Sequence, residues 1–144
     1  MVLCKIWDMN NINKNNKKSI GFKGEMCVID KLKTIGFELY KKNIKSIDSE
    51  IDVVVYKYNR FKYTLDIRII EVKTRKNYEF DLSSFNIPKK WRLVKPHIFK
   101  IKSNIDAKFD ILHYSEIHFD LALVRYNDDS YDMYSYIKDV NLML

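Results

Sequence analysis

Two β-branched apolar runs, each bounded by carboxylates, restrict the fold more than any other part of the chain. They are Ser49-Glu50-Ile51-Asp52-Val53-Val54-Val55 and Ile67-Arg68-Ile69-Ile70-Glu71-Val72-Lys73. Runs of this kind read as strands, and the polar break at Asn59-Arg60 between them predicts an antiparallel hairpin. Side chains alternate across a strand, so Glu50 and Asp52 share one face of the first, and Glu71 and Lys73 one face of the second. If these strands pair, two carboxylates and an ammonium converge at a sheet surface.

The hairpin sits inside a regular order of elements. Residues 19–35 have a helical period, with Ser19 as N-cap, Gly36 as the stop, and Phe22, Met26, Ile29 and Leu32 as the apolar stripe. Residues 37–44 alternate as a first strand, and the hairpin supplies the second (51–58) and third (61–74). After a polar loop over 75–85, Asn86 and Pro88 open a second helix carrying Trp91, Val94, Ile98, Ile101 and Ile105, which Pro96 must kink or split. Residues 117–124 and 131–137 form two last strands around a turn at 127–130. The order α-β-β-β-α-β-β predicts an α/β (α+β) fold, a mixed β-sheet flanked by helices. Residues 1–18 end in an Asn/Lys run and read as a flexible polar arm, leaving 19–144 as one domain with a single core.

Composition narrows the partners. Against 19 Asp+Glu stand 26 Lys+Arg, a net charge of +7, which favours a polyanion such as nucleic acid. A bias toward Lys, Ile and Asn would raise the pI without any ligand, so charge alone does not decide. Cys4 and Cys27 are too few for a disulfide framework and are not spaced as a metal clip, so a reduced, cytoplasmic setting is expected. No apolar run approaches the ~20 residues of a membrane span, and no secretory signal opens the chain. His97, His113 and His118 are scattered, against a zinc site, and three glycines provide no phosphate-cradling loop. The ten tyrosines suit half-buried strands better than base stacking.

The chemistry follows from the carboxylates. A Mg²⁺ (or Mn²⁺) ion is commonly held by one or two carboxylates together with waters and a substrate phosphate. Asp52 and Glu71 can supply the carboxylates and Val72 a carbonyl, with Lys73 beside the attacking water. Glu50 could be a further ligand or an orienting group. Glu25 falls inside the apolar stripe of the first helix, where a carboxylate needs a partner. It could hold a second ion or a water, or simply sit at the rim of the helix–sheet contact. Lys23, Arg75 and Lys76 are the nearest cations for backbone phosphates. Taken singly, a Glu-x-Lys in a strand is more often a solvated ion pair.

In order, Gly21-Phe22-Lys23-Gly24-Glu25, Asn43, Glu50-Ile51-Asp52, Glu71-Val72-Lys73-Thr74-Arg75 and Phe119-Asp120 resemble the YraN-like family. That family is similar to archaeal Holliday-junction resolvases and is placed in the PD-(D/E)XK nuclease superfamily. The resemblance implies a restriction-endonuclease-like core with Asp52, Glu71 and Lys73 as the metal and catalytic set and Glu25 as the helix-borne acid. The expected activity is a Mg²⁺-dependent endonuclease acting on DNA, with branched or junction DNA as the substrate; symmetric cleavage of two strands would favour a twofold homodimer, with the final hairpin as its contact. The alternative is a catalytically silent nucleic-acid-binding module with the same fold. The chain departs from the family at His118, where an Arg is usual before Phe-Asp, and in extra sequence over 106–116.

Overall fold

The computed structural model describes residues 17–76, 82–128 and 130–143. Five strands form one sheet in the order β1 (Glu38–Lys45), β2 (Glu50–Asn59), β3 (Thr64–Lys76), β4 (Tyr114–Asn127) and β5 (Ser130–Ile137). All neighbours are antiparallel except β3 and β4, which run parallel. Helix α1 (Lys17–Thr34) covers one face, while α2 (Ile87–Val94) and α3 (Ile98–Asp106), within the β3–β4 crossover, cover the other. This is the expected mixed α/β fold in the expected order.

Strand β3 is the middle strand and is buried on both faces. Leu65, Ile67 and Ile69 face Val94, Ile101 and Ile105, whereas Ile70 and Val72 face Val28, Ile29 and Leu32 of α1. Burial on both sides explains why its sequence is a nearly continuous apolar run rather than an alternating one.

Several boundaries differ from expectation for local reasons. Helix α1 begins at Lys17, and Ser19 lies inside it with its side chain buried, so it is not the N-cap. The remainder of the proposed polar arm, residues 1–16, lies outside the described residues. Gly36 does end α1: its φ is +94°, and the bonds Phe37 N–H to Leu32 O and Gly36 N–H to Lys33 O close a Schellman turn. The β2–β3 connection is a four-residue turn, 60–63, rather than a dipeptide; Asn59 Oδ1 accepts from the N–H groups of Phe61 and Lys62. Asn86 caps α2 with Pro88 in its first turn, and Pro96 splits the long helical pattern through a 3₁₀ turn, Lys95–His97.

Two polar clusters are structural. Asp106 accepts from Lys102 Nζ at 2.6 Å and Ser115 Oγ at 2.5 Å and lies 2.9 Å from His113 Nε2, which ties down the segment after α3. Asp120, fully buried, accepts from Arg68, the Tyr136 hydroxyl and the Asp139 N–H. The Phe119-Asp120 pair therefore anchors β4 to its neighbours. Cys27 is buried on α1, and Cys4 lies outside the described residues. No described helix is long and apolar enough to cross a membrane.

Candidate functional site

The β2–β3 ladder runs from Asn59↔Thr64 to Val53↔Ile70 and stops there. One step further along the register, Asp52 stands opposite Glu71. Instead of continuing the ladder, Asp52 Oδ2 accepts the Val72 N–H at 2.8 Å. A side-chain carboxylate thus replaces a backbone acceptor where the strands part.

The parting has a counterpart in β1. Pairs Lys42↔Val53 and Ile44↔Ile51 flank Asn43, which lies across from Asp52 with a left-handed φ of +52°. Asn tolerates that region better than most residues. The twist reverses the side-chain alternation. Lys42 lies 3.8 Å from the centroid of the Phe22 ring on the α1 side, yet Ile44 packs with the α2–α3 core. On β2, Val53 and Val55 face α1, whereas Ile51 joins the α2–α3 core. Asp52 occupies the point of reversal.

Glu71 is 4 % exposed, and each of its oxygens meets an ammonium. Lys73 Nζ is 2.6 Å from Oε1, as the shared strand face predicts. Lys90 Nζ, from α2, is 2.8 Å from Oε2, in an ion pair not aligned as a hydrogen bond, and also donates to the Glu50 carbonyl. Burial and then the charge of Glu71 push the Asp52 carboxyl up to about 7, against the Val72 hydrogen bond and the Lys90 charge.

Glu25 reaches the same region from α1. Burial raises its pKa, with Glu50 and Glu71 adding to the rise and the Asn43 hydrogen bond and Lys42 opposing it. Its Oε2 is buried with no hydrogen-bond partner among the described residues. Helix α1 comes this close because Gly24 stands directly over Thr74: a Cβ there would lie 1.9 Å from Thr74 Oγ1.

Glu25, Glu50, Asp52, Glu71 and Lys73 therefore come together, with Val72 holding Asp52 in place. The three cations expected at phosphates are spread more widely. Lys23 lies 5.8 Å from the Tyr131 ring centroid on β5, Arg75 sits over Phe85 at 5.3 Å, and Lys76 is exposed at the end of β3. Two members of the site escaped the reading of motifs as chemistry. Asn43 could have been found as an asparagine inside an otherwise strand-forming run. Lys90 has no local signal beyond its position just after the Pro88 helix start.

A hard cation is compatible with this donor set. Four carboxylates, whose charges raise the pKa values of Glu25 and Asp52, with Glu25 Oε2 buried and unpartnered among the described residues, form an acidic cluster of the chemistry such ions bind. No three His, Cys, Asp or Glu side chains close into a single cage among the described residues. Asp52 and Glu71 are the two carboxylates that could share such an ion.

Residues 24–114, from Gly24 through the crossover to the start of β4, match the uncharacterised protein family UPF0102. A UPF0102 protein of Caldanaerobacter subterraneus subsp. tengcongensis is 31 % identical over 107 residues, covering 70 % of this chain and 83 % of that protein. One from Dictyoglomus turgidum is 33 % identical over 110 residues, covering 76 % and 84 %. One from Campylobacter hominis is 30 % identical over 95 residues, covering 64 % and 80 %. By the matched profile and these relatives, the chain belongs to the UPF0102 (YraN-like) family.

Proposed function

We propose that this protein is a divalent-metal-dependent endonuclease acting on DNA, with branched or junction DNA as the preferred substrate. The observation that carries the reading is the meeting of Asp52 and Glu71 where β2 and β3 part, with Lys73 held at 2.6 Å from Glu71. Asp52 and Glu71 would hold Mg²⁺ or Mn²⁺, which supplies Lewis-acid stabilisation of the phosphoryl oxygens and a more acidic water. The chain's own residues do the rest. Lys73 is partly exposed, so its ammonium can orient a water and offset phosphate charge. The Val72 N–H fixes the Asp52 carboxylate, and Asn43 fixes Glu25 beside it. The net charge of +7 draws a polyanion toward the protein, and Arg75 and Lys76 continue β3 beyond the site.

A specific observation favours a second reading, a nucleic-acid-binding module without catalysis. Both oxygens of Glu71 already face ammonium groups, so its charge is balanced by protein alone. A nicking assay on four-way-junction and plasmid DNA with Mg²⁺ or Mn²⁺ separates the two. Cleavage should fall on the order of 10²-fold or more in Asp52→Ala and in Lys73→Ala. Cleavage that survives both substitutions excludes this site. Salt-sensitive binding with no cleavage in any variant supports the module.

A further inference from the structure

The geometry points to Lys90 as a built-in cation of this site, one that a divalent ion must displace before Asp52 and Glu71 can hold it. The inference rests on the metal-site reading above and adds the step that controls occupancy.

Two oxygens meet the Lys90 ammonium: it donates to the Glu50 carbonyl and lies 2.8 Å from Glu71 Oε2. A carbonyl and a carboxylate are also what a hard divalent ion seeks. An ammonium and a metal ion cannot share that position, because both are cations and Glu71 Oε2 serves either one. Lys73 is not the competitor: it takes the other oxygen, Oε1, from within the same strand. Lys90 comes from the first turns of α2, across the sheet face, on a flexible four-carbon stem that can swing out without moving the helix. Its displacement would leave a mobile ammonium beside the site, available to a substrate phosphate. Without a divalent ion, Lys90 keeps the acidic cluster from repelling itself; with one, the same residue is freed.

The apparent affinity for an ion is lowered by the fraction of molecules in which the competitor is in place. Isothermal titration of the full chain with Mn²⁺ alone should therefore give binding roughly tenfold tighter in Lys90→Met than in wild type. Lys89→Met, on the exposed neighbouring position, should leave affinity unchanged. Because Lys90→Met could fold poorly, the wild type offers an independent reading. Reductive methylation followed by mass spectrometry should find Lys90 protected without Mn²⁺ and modified once Mn²⁺ saturates the site. Equal or weaker binding in a folded Lys90→Met, or unchanged methylation at saturation, overturns the inference while leaving the metal site standing. Absence of Mn²⁺ binding in every variant instead removes the metal site itself, and the inference with it.

Discussion

Removing the charge of Asp52 should stabilise the protein, and by an amount that depends on pH. In the folded state the carboxyl is raised from 3.8 to about 7, first by burial and second by the charge of Glu71. Between those values the folded protein holds a proton that the unfolded chain has lost, so stability falls as pH rises through the window. Each unit of separation corresponds to about 1.4 kcal/mol, so three units set a ceiling of about 4 kcal/mol above pH 7. Part of the separation belongs to Asp52 and Glu71 jointly, because the two charges titrate against each other. Asp52→Asn keeps an oxygen for the Val72 N–H and nearly the same volume, but its amide must still be desolvated. A net gain of about 2 kcal/mol at pH 8 in EDTA is therefore expected, shrinking steadily as pH falls toward the unfolded value of 3.8, below which both states of the wild type are protonated. Urea unfolding followed by circular dichroism across that range measures it, provided the m-values of the two proteins agree. A saturating divalent ion should reverse the order, since wild type gains binding free energy that the variant lacks. Lower stability of Asp52→Asn at pH 8 in EDTA, or a gain independent of pH, would show that the carboxylate is not strained in the way argued.

Other perturbations test the supporting structure. Gly24→Ala should lower the melting temperature, at a cost of about 1–3 kcal/mol, because its Cβ meets Thr74, whereas Gly21→Ala meets nothing within 4 Å and should be neutral or slightly stabilising. Asn43→Gly should keep the left-handed backbone and lose only the bond to Glu25; Asn43→Ala should lose both and be the less stable by about 1 kcal/mol in chemical denaturation. For Asp106, hydrogen bonds from Lys102, Ser115 and His113 outweigh burial and hold its pKa at about 2, so its support is lost as pH falls below its unfolded value. The Asp106 hydrogen bond, aided by Ile111 O, raises His113, whose support is complete below its unfolded pKa and is lost as pH rises through the folded one. Asp106→Asn should therefore expose the segment after α3 to limited proteolysis at mildly acidic pH, where the wild type resists; equal cleavage would discard the tether.

What the sequence revealed and what it hid divide along a physical line. Strand β3 and its neighbours were legible because β-branched runs and turn residues carry their own periodicity, and the split at Pro96 because a missing N–H is a local fact. The pairing of Asp52 with Glu71 was legible for the same reason, since a hairpin fixes which residues face each other. Glu25 stood out as a carboxylate in an apolar stripe, an inconsistency that points to a site rather than to the core. The rest depended on approach between elements distant in the chain. A serine ahead of an apolar period looks the same whether it caps a helix or lies buried in it, as Ser19 does. The left-handed turn at Asn43 reverses the faces of two strands, and no alternation rule anticipates a reversal. Lys90 is the sharpest case, because its ammonium crosses from α2 to oxygens forty residues earlier in the chain at Glu50 and on another strand at Glu71. Composition counted it among 26 indistinguishable cations. Yet it alone among the described lysines contacts both a backbone oxygen and a carboxylate of this cluster, so on the reading proposed above the site is a balance between an internal cation and an external one. On that reading the carboxylates on the strands set what the site can bind, and the helix that returns over them sets when.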